Sequence, residues 1–214
     1  MSIAAVVVAA GDGRRFGGPK QFTLFNGETI AARSVRTARS VASYVVLVVP
    51  KNYEGNGEGA DLVVAGGASR ASSVRAGLAH CGDAEIVVVH DAARPLASAA
   101  LFHSVVNAVL AGADAAIPGL TPTDTVKRVN KDHEETFVVT TLSREELVAV
   151  QTPQAFRRDV LERAHENEAD ANDDAALVEA LGARVVVVEG ELDNVKITHL
   201  RDIDVLDIVE RSRP

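Results

Sequence analysis

Met1-Ser2-Ile3-Ala4-Ala5-Val6-Val7-Val8-Ala9-Ala10-Gly11-Asp12-Gly13-Arg14-Arg15-Phe16-Gly17-Gly18-Pro19-Lys20 opens the chain as an apolar run feeding a basic, glycine-rich loop. Ile3 to Val8 has no polar position to turn towards water, so it predicts a strand buried on both faces. Ala9 and Ala10 then keep the backbone bare enough for close approach. The glycines at 11, 13, 17 and 18 permit positive φ, and Arg14, Arg15 and Lys20 set cations inside the loop. α/β proteins hold phosphate this way, with backbone N–H groups lining a concavity and fixed cations neutralising the oxygens. A surface turn with solvated charges is the plainer reading. Cations placed within the loop, directly after the first strand, favour phosphate or nucleotide.

The loop is neither of the two best-known phosphate loops. A dinucleotide fingerprint needs a third glycine opening a helix, and Arg14-Arg15 follows Gly11-x-Gly13 instead. A Walker loop needs Gly-Lys-Ser/Thr after its spaced glycines, which is absent. Ala-Ala-Gly-x-Gly-x-Arg followed by Pro-Lys is similar to the signature loop of nucleotidyltransferases that join an NTP to a sugar or polyol phosphate.

Length and composition agree with a small α/β enzyme. The 214 residues suit one domain with a substantial core. Hydrophobic residues make up 47% and aromatics only 4%, with no Trp, so Val, Ala, Leu and Ile must build that core. A net charge of −8 argues against a nucleic-acid partner, which selects a basic face. Cys81 is the only cysteine, so neither a disulfide framework nor a cysteine metal site is expected, and a reducing cytoplasm fits. No apolar run reaches the ~18 residues of a membrane span, and the first strand starts too early for a signal peptide.

Further along, Glu28 to Ser40 has helical spacing, with Ile30 and Val35 inward and Arg33, Arg36 and Arg39 outward; a solvated face is favoured there over a binding stripe. Strands are predicted at Val45 to Val49, Asp61 to Ala65, Glu85 to Val89, Ala113 to Pro118 and Val185 to Val188. Helices are predicted at about Ala71 to His80, Ser98 to Leu110, Arg158 to Glu168 and Ile203 to Ser212, with Asn172 as N-cap of another. This alternation predicts a three-layer, Rossmann-like α/β fold on a mostly parallel sheet, which binds ligands at the carboxyl ends of its strands. The glycine loop, Gly66-Gly67 and His90-Asp91-Ala92-Ala93-Arg94-Pro95 all fall just past such ends. Between 119 and 146 the rhythm changes. Thr123 to Val129 and Thr136 to Thr141 alternate around Asn130-Lys131-Asp132-His133, predicting a protruding β-hairpin arm. Two strands alone are marginal in water, so the arm should pack on a partner subunit as a dimerisation element.

With His90-Asp91-Ala92-Ala93-Arg94-Pro95, Asp124-Thr125-Val126-Lys127, Gln151-Thr152-Pro153-Gln154, Asn172-Asp173-Asp174-Ala175 and Asn194-Val195-Lys196-Ile197-Thr198, the chain resembles the 2-C-methyl-D-erythritol 4-phosphate cytidylyltransferase family. The motifs keep family order over residues 5 to 198. That resemblance implies CMP transfer from CTP to methylerythritol phosphate, with Mg²⁺ as cofactor and a homodimer whose arm reaches the second subunit. It implies that Ala9, Ala10, Gly11 and Gly13 wrap the CTP base and phosphates, with Arg15 and Lys20 on the triphosphate. Gly67, Arg70 and Ser73 fall on the cytidine side, and Asp91 and Ala92 at the nucleotide, Asp91 also at the metal. Arg94, Thr125, Arg144, Thr152 and Asn172 fall on the acceptor, and Lys196 at the reacting centre. Four features depart from the family pattern: a shorter Arg15–Lys20 loop, Ala68 at an often acidic position, Asn172 where the family often has Thr, and a short Lys51–Gly59 connection. The cyclase domain fused to some relatives is not expected.

The chemistry suits these residue types. An acceptor phosphate is already ionised at pH 7 and needs no general base. Two mutually repelling polyanions must be held together, and the charge growing at the α-phosphorus must be stabilised. His90 reads as a structural hydrogen-bonding group rather than a catalyst. Asp173-Asp174 reads either as a metal pair or as first-turn carboxylates of a helix. Rival functions are a ribitol-5-phosphate cytidylyltransferase, a non-catalytic CTP-binding module and, third, a dehydrogenase.

Overall fold

The computed structural model describes residues 1–132, 135–166, 170–171 and 173–212. The chain begins with β1 (Ile3–Val8), a short hairpin of β2 (Leu24–Phe25) and β3 (Glu28–Thr29), α1 (Ile30–Ala38) and β4 (Tyr44–Val49). It continues through β5 (Leu62–Ala65), α2 (Arg70–Leu78), β6 (Ile86–Asp91), α3 (Ala99–Leu110) and β7 (Ala115–Leu120). Then come β8 (Lys127–Lys131), β9 (Thr136–Thr141), β10 (Ala149–Val150), β11 (Gln154–Arg157), α4 (Arg158–His165), α5 (Asp174–Glu179), β12 (Val185–Glu189) and α6 (Asp202–Ser212).

β1 lies inside the main sheet, whose order is β10-β7-β11-β6-β1-β4-β5 with β12 beside β7. It pairs in parallel with β4 and β6, and β4 with β5. Its alternate residues feed two cores. Ala5, Val7 and Ala9 face a layer of α1 and α3, while Ala4 and Val6 face α2, α4 and α5. That is why the opening run could carry no polar residue, and why β4 and β6 repeat the pattern with Val45/Val46 and Val88/Val89. The helices lie close: a Cβ on Gly77 of α2 would come within 2.5 Å of Val6 Cγ1. α1 starts later than the predicted Glu28, because Thr29 ends β3 and caps the helix by accepting from Ala32 N.

Two differences from expectation matter for the site. Gln151 to Phe156 is no mere return segment: β11 is the antiparallel strand between β6 and β7, and β10 extends the same line after a break at Gln151-Thr152-Pro153. Pro153 and the shortness of both pieces hide it from periodicity. In the arm, the first strand runs Lys127–Lys131 rather than from Thr123, with a register shift between Arg128 and Val129. Every residue of β8 and β9 is exposed, including Val129, Phe137, Val138 and Val139. Glu168, the predicted end of α4, and His133 in the arm's turn lie outside the described residues, as does Asn172. Asp173 caps α5, its Oδ1 accepting from Ala176 N at 3.1 Å.

A third, smaller core joins Phe25, Ile30, Leu96, Ile197 and Leu206, with Phe16 of the glycine loop and Ile203 and Val209 of α6 against it. Thus α6 packs under the segment that carries the loop. The arginines of α1 form no free stripe. Arg36 pairs with Glu28, Arg39 with Asp61, and Arg33 meets Glu210 while lying over the Phe25 ring.

Candidate active site

The carboxyl ends of β1, β5 and β6 surround a cleft of about 470 Å³. One wall is Ala9 to Asp12 with Lys20 and Gln21, another is Gly67 to Arg70 with Ser73, and Asp91, Ala93 and Lys196 close the end. The loop folds back on itself because Gly13 adopts φ +65° and its carbonyl accepts from Phe16, Gly17 and Gly18 N–H at 2.8, 3.0 and 3.3 Å. A Cβ at Gly13 would sit 1.7 Å from Gly18 O, so only glycine fits. Gln21 Nε2 donates to Ala9 O at 2.6 Å and Gly11 O at 2.9 Å, tying the loop to the body. Sequence reasoning missed Gln21; its one signal was an uncharged polar residue at the start of an otherwise amphipathic turn. On the facing wall, Ser69 caps α2 and shares a reciprocal capping box with Ser72. Ser73 Oγ accepts from Gly67 N at 3.2 Å and donates to Ser69 O at 2.8 Å, which shapes the Gly67 turn.

Asp91 is the hub. Arg70 Nε donates to its Oδ1 at 3.2 Å and Lys196 Nζ to its Oδ2 at 2.6 Å. Burial alone would raise this carboxyl, but Arg70 and then Lys196 override it and hold it far below the usual carboxylate range. Lys20 Nζ donates to Ile197 O, and burial, helped by repulsion from Lys196 and Arg15, lowers its pKa from the usual lysine value. A cation already disfavoured by its surroundings is poised to meet an anion.

Lys196 owes its place to two motifs far apart in sequence. Gln151 Nε2 donates to Glu191 O at 2.8 Å, while its Oε1 accepts from Glu191 N and Asn194 Nδ2 at 3.0 and 3.2 Å. Asn194 Nδ2 also reaches Thr152 O at 2.9 Å, Arg94 Nη1 donates to Asn194 O at 2.7 Å, and Ile197 N bonds Ala93 O at 2.8 Å. The break between β10 and β11 frees these polar groups, and Asn194 is fully buried.

His90 acts on structure. Asp91 N–H donates to Thr152 Oγ1 at 3.0 Å, leaving the hydroxyl to donate to His90 Nδ1 at 3.1 Å, and Nε2–H to face Arg94 O at 3.2 Å. Burial pushes His90 down to about 4 from its ordinary 6.5, against the pull of Asp91. Between pH 6.5 and 4 the unfolded chain therefore binds a proton that the folded chain refuses, so stability falls as pH drops through that window. The expected loss is on the order of 3 kcal/mol, from about 1.36 kcal/mol per pKa unit. Denaturant unfolding at pH 7 and 4.5 measures it, and His90→Gln should flatten the slope. An equally steep slope in that variant would show that other groups cause it.

A second cavity of about 160 Å³ adjoins the first and shares Arg70, Asp91 and Lys196 with it. Arg94, Thr152, Gln154 and Asp173 are among its other wall residues. Of the residues expected from sequence, Ala9, Ala10, Gly11, Lys20, Gly67, Arg70, Ser73, Asp91 and Lys196 meet at the larger cleft, and Arg94 and Thr152 at the smaller. Gly13 and Arg15 lie in the loop without lining either cavity, Arg15 exposed. Ala92 points into the α1/α3 core and Ala93 takes the cleft wall. Thr125 and Arg144 stand on the arm, exposed and lining neither cavity, with Arg144 Nη1 on Thr123 O at 3.0 Å. Asn172 lies outside the described residues.

The contacts of Asp173 and Asp174 are those of a helix start. Asp173 is the cap of α5, and Asp174 is fully buried between Arg70 Nη1 at 2.6 Å and His165 Nε2 at 3.0 Å. Among the described residues no group of three or more His, Cys, Asp or Glu could hold a metal ion by itself, and no helix is long and apolar enough to cross a membrane.

Known proteins resemble this chain along nearly its whole length. The model of the IspD family, 2-C-methyl-D-erythritol 4-phosphate cytidylyltransferase, matches residues 3–211. The bifunctional enzyme IspD/IspF of Anaeromyxobacter dehalogenans is 44% identical over 94% of this chain and 55% of its own length. The chain thus spans about half the length of such bifunctional relatives. The 2-C-methyl-D-erythritol 4-phosphate cytidylyltransferase of Streptomyces avermitilis is 42% identical over 98% of this chain and 92% of that one. The crystal structure of the enzyme of that name from Thermus thermophilus superposes with a TM-score of 0.81 at 34% identity, covering 96% of this chain and 98% of that one.

Proposed function

The chain belongs to the 2-C-methyl-D-erythritol 4-phosphate cytidylyltransferase family, and from that premise we propose that it transfers CMP from CTP to 2-C-methyl-D-erythritol 4-phosphate, releasing pyrophosphate. The observation that carries the proposal is the junction of the two cavities, where Arg70, Asp91 and Lys196 are common walls. CTP takes the larger cleft, its base against Ala9, Ala10, Gly67 and Ser73 and its triphosphate along Gly11 and Lys20, with Gly13 shaping the loop and Arg15 beyond the cleft lining. The acceptor takes the smaller, against Arg94 and Thr152.

An acceptor phosphate oxygen attacks the α-phosphorus in line, forming a P–O bond as the bond to the β-phosphate oxygen breaks. Pyrophosphate leaves with the bonding electrons, and no proton needs to be removed first. Lys196 and Lys20 would bracket the reacting phosphates, offsetting their mutual repulsion and the charge that builds at the α-phosphorus. Asp91, kept ionised by its two cations, offers one hard oxygen ligand. A donor set this sparse suits Mg²⁺ carried mainly on the nucleotide's phosphates, and the metal would neutralise phosphate charge there. Chelation should suppress turnover and added Mg²⁺ should restore it; full activity in excess chelator would remove the metal from the proposal.

The same reading makes residues 1–214 one nucleotidyltransferase domain of a cytoplasmic homodimer, with 119–146 as the dimerisation arm. Its support is the exposure of Val129, Phe137, Val138 and Val139 on a two-stranded hairpin. The deciding assay offers CTP with methylerythritol phosphate or ribitol 5-phosphate and follows pyrophosphate. Turnover only with the first is expected. Preference for ribitol 5-phosphate, or CTP binding without pyrophosphate release, would overturn the proposal.

A further inference from the structure

We infer that His165, a buried residue remote from both cavities, is a positioning residue for the reaction, acting through Asp174 and Arg70 on Asp91. The inference rests on the cytidylyltransferase reading. Four contacts form a continuous line. His165 Nε2 meets Asp174 Oδ1 at 3.0 Å, and Arg70 Nη1 donates to Asp174 Oδ2 at 2.6 Å. Arg70 Nε donates to Asp91 Oδ1 at 3.2 Å, and Lys196 Nζ to Asp91 Oδ2 at 2.6 Å. The line starts at the last residue of α4, crosses the first turn of α5 and ends on the shared wall of the two cavities.

The geometry gives each link a reason. Asp174 is 0% exposed, so its charge has no water to turn to and each oxygen needs a donor inside the protein. His165 supplies one and Arg70 the other. His165 Nδ1 is buried without a partner among the described residues, so the ring carries its proton on Nε2, facing the carboxylate. With one oxygen held by His165, Asp174 presents a single oxygen to Arg70 and takes one Nη of the guanidinium. The Nε edge is left to Asp91. Without the His165 donor, Asp174 would satisfy both oxygens on Arg70, drawing the guanidinium into a two-pronged pair and away from Asp91. Asp91 would then keep Lys196 alone, and Lys196 would be held more tightly to it and be less available to the phosphates. His165 thereby decides how Arg70 is shared between a structural carboxylate and the one at the reacting centre.

The test compares His165→Leu, which fills the space without a donor, with His165→Gln, which restores an N–H at a similar reach. Both are measured for melting temperature, for CTP affinity by calorimetry, and for kcat and KM with each substrate. In the leucine variant kcat should fall roughly 10- to 100-fold, the range seen when supporting groups behind a reactive residue are removed, and CTP affinity should weaken. The glutamine variant should recover most of both, with melting temperatures of the two variants within a few degrees. A folded leucine variant with wild-type kcat and CTP affinity would overturn the inference, and so would equal loss in both variants, which would mean packing alone. If the leucine variant does not fold, the glutamine variant decides: near-normal constants support the hydrogen bond, and a loss as large as that of Asp174→Asn overturns it. Inactivity of the wild-type protein towards both acceptors would instead count against the cytidylyltransferase reading, leaving the CTP-affinity comparison to judge His165.

Discussion

Lys196→Met and Lys20→Met should each lower turnover by ~10²-fold or more, a few kcal/mol of lost transition-state stabilisation, while the fold survives. Both side chains keep their stems in methionine and lose only the charge. Lys196 is 44% exposed and anchored through Nζ to Asp91 Oδ2, so its removal leaves Asp91 still paired with Arg70 rather than bare. Lys20 gives up one bond to Ile197 O while its stem continues to pack. The melting temperature should therefore move little, and KM should change less than kcat. The pH profile offers an independent check on Lys20. Burial and its cationic neighbours lower its pKa, so the charged form is lost at a pH below the ordinary lysine range. If the ammonium is needed, activity falls on the alkaline side as pH rises through that lowered value. Near-normal turnover in both variants would sink the assignment of these lysines.

Arg144→Ala should be close to inactive, and its activity should return on mixing with a cleft mutant. Within one subunit Arg144 lines neither cavity, and its guanidinium bonds Thr123 O within the arm. A hairpin exposed along both strands needs a surface, and the proposed acceptor role of Arg144 needs a cavity that its own subunit does not bring to it. Both needs are met if the arm crosses to a second copy and brings Thr125 and Arg144 to that copy's acceptor cavity. Arg144→Ala and Lys20→Met homodimers then fail for different reasons. In the heterodimer one site carries both lesions and the other neither. Co-refolding the two variants should restore up to about half the activity of a wild-type dimer, diluted by homodimers. No recovery with heterodimers shown to have formed would place Arg144 in its own subunit's site or in none. A monomer at assay concentration would defeat the arm's proposed role altogether.

Much of the fold was legible in the sequence because it follows from local chemistry. An apolar run such as Ile3–Val8 has no solvent face in any packing, so a buried parallel strand was the economical reading. The Gly67 and Asp91 segments declared themselves in the same way, as polar clusters straight after such runs. What stayed hidden depends on partners distant in sequence. Gln21 reads as an ordinary turn residue until its amide meets the carbonyls of Ala9 and Gly11. The strand β11 is invisible to a period-2 search, because it is only four residues long and Pro153 stands between it and β10. Ala92 and Ala93 are identical in chemistry, and only the turn after β6 decides which faces the cleft.

The order of residues by itself determined the layers, the direction of most strands and the edge of the sheet where glycines and fixed charges gather, since these follow from hydrophobic periodicity and from where glycine and charge interrupt it. Tertiary structure alone decided how charge is apportioned at that edge. Sequence left Asp173-Asp174 balanced between metal ligand and helix start. Folding buries Asp174 against Arg70 and His165, 104 and 9 residues away, and a buried carboxylate must take the donors that the packing brings to it.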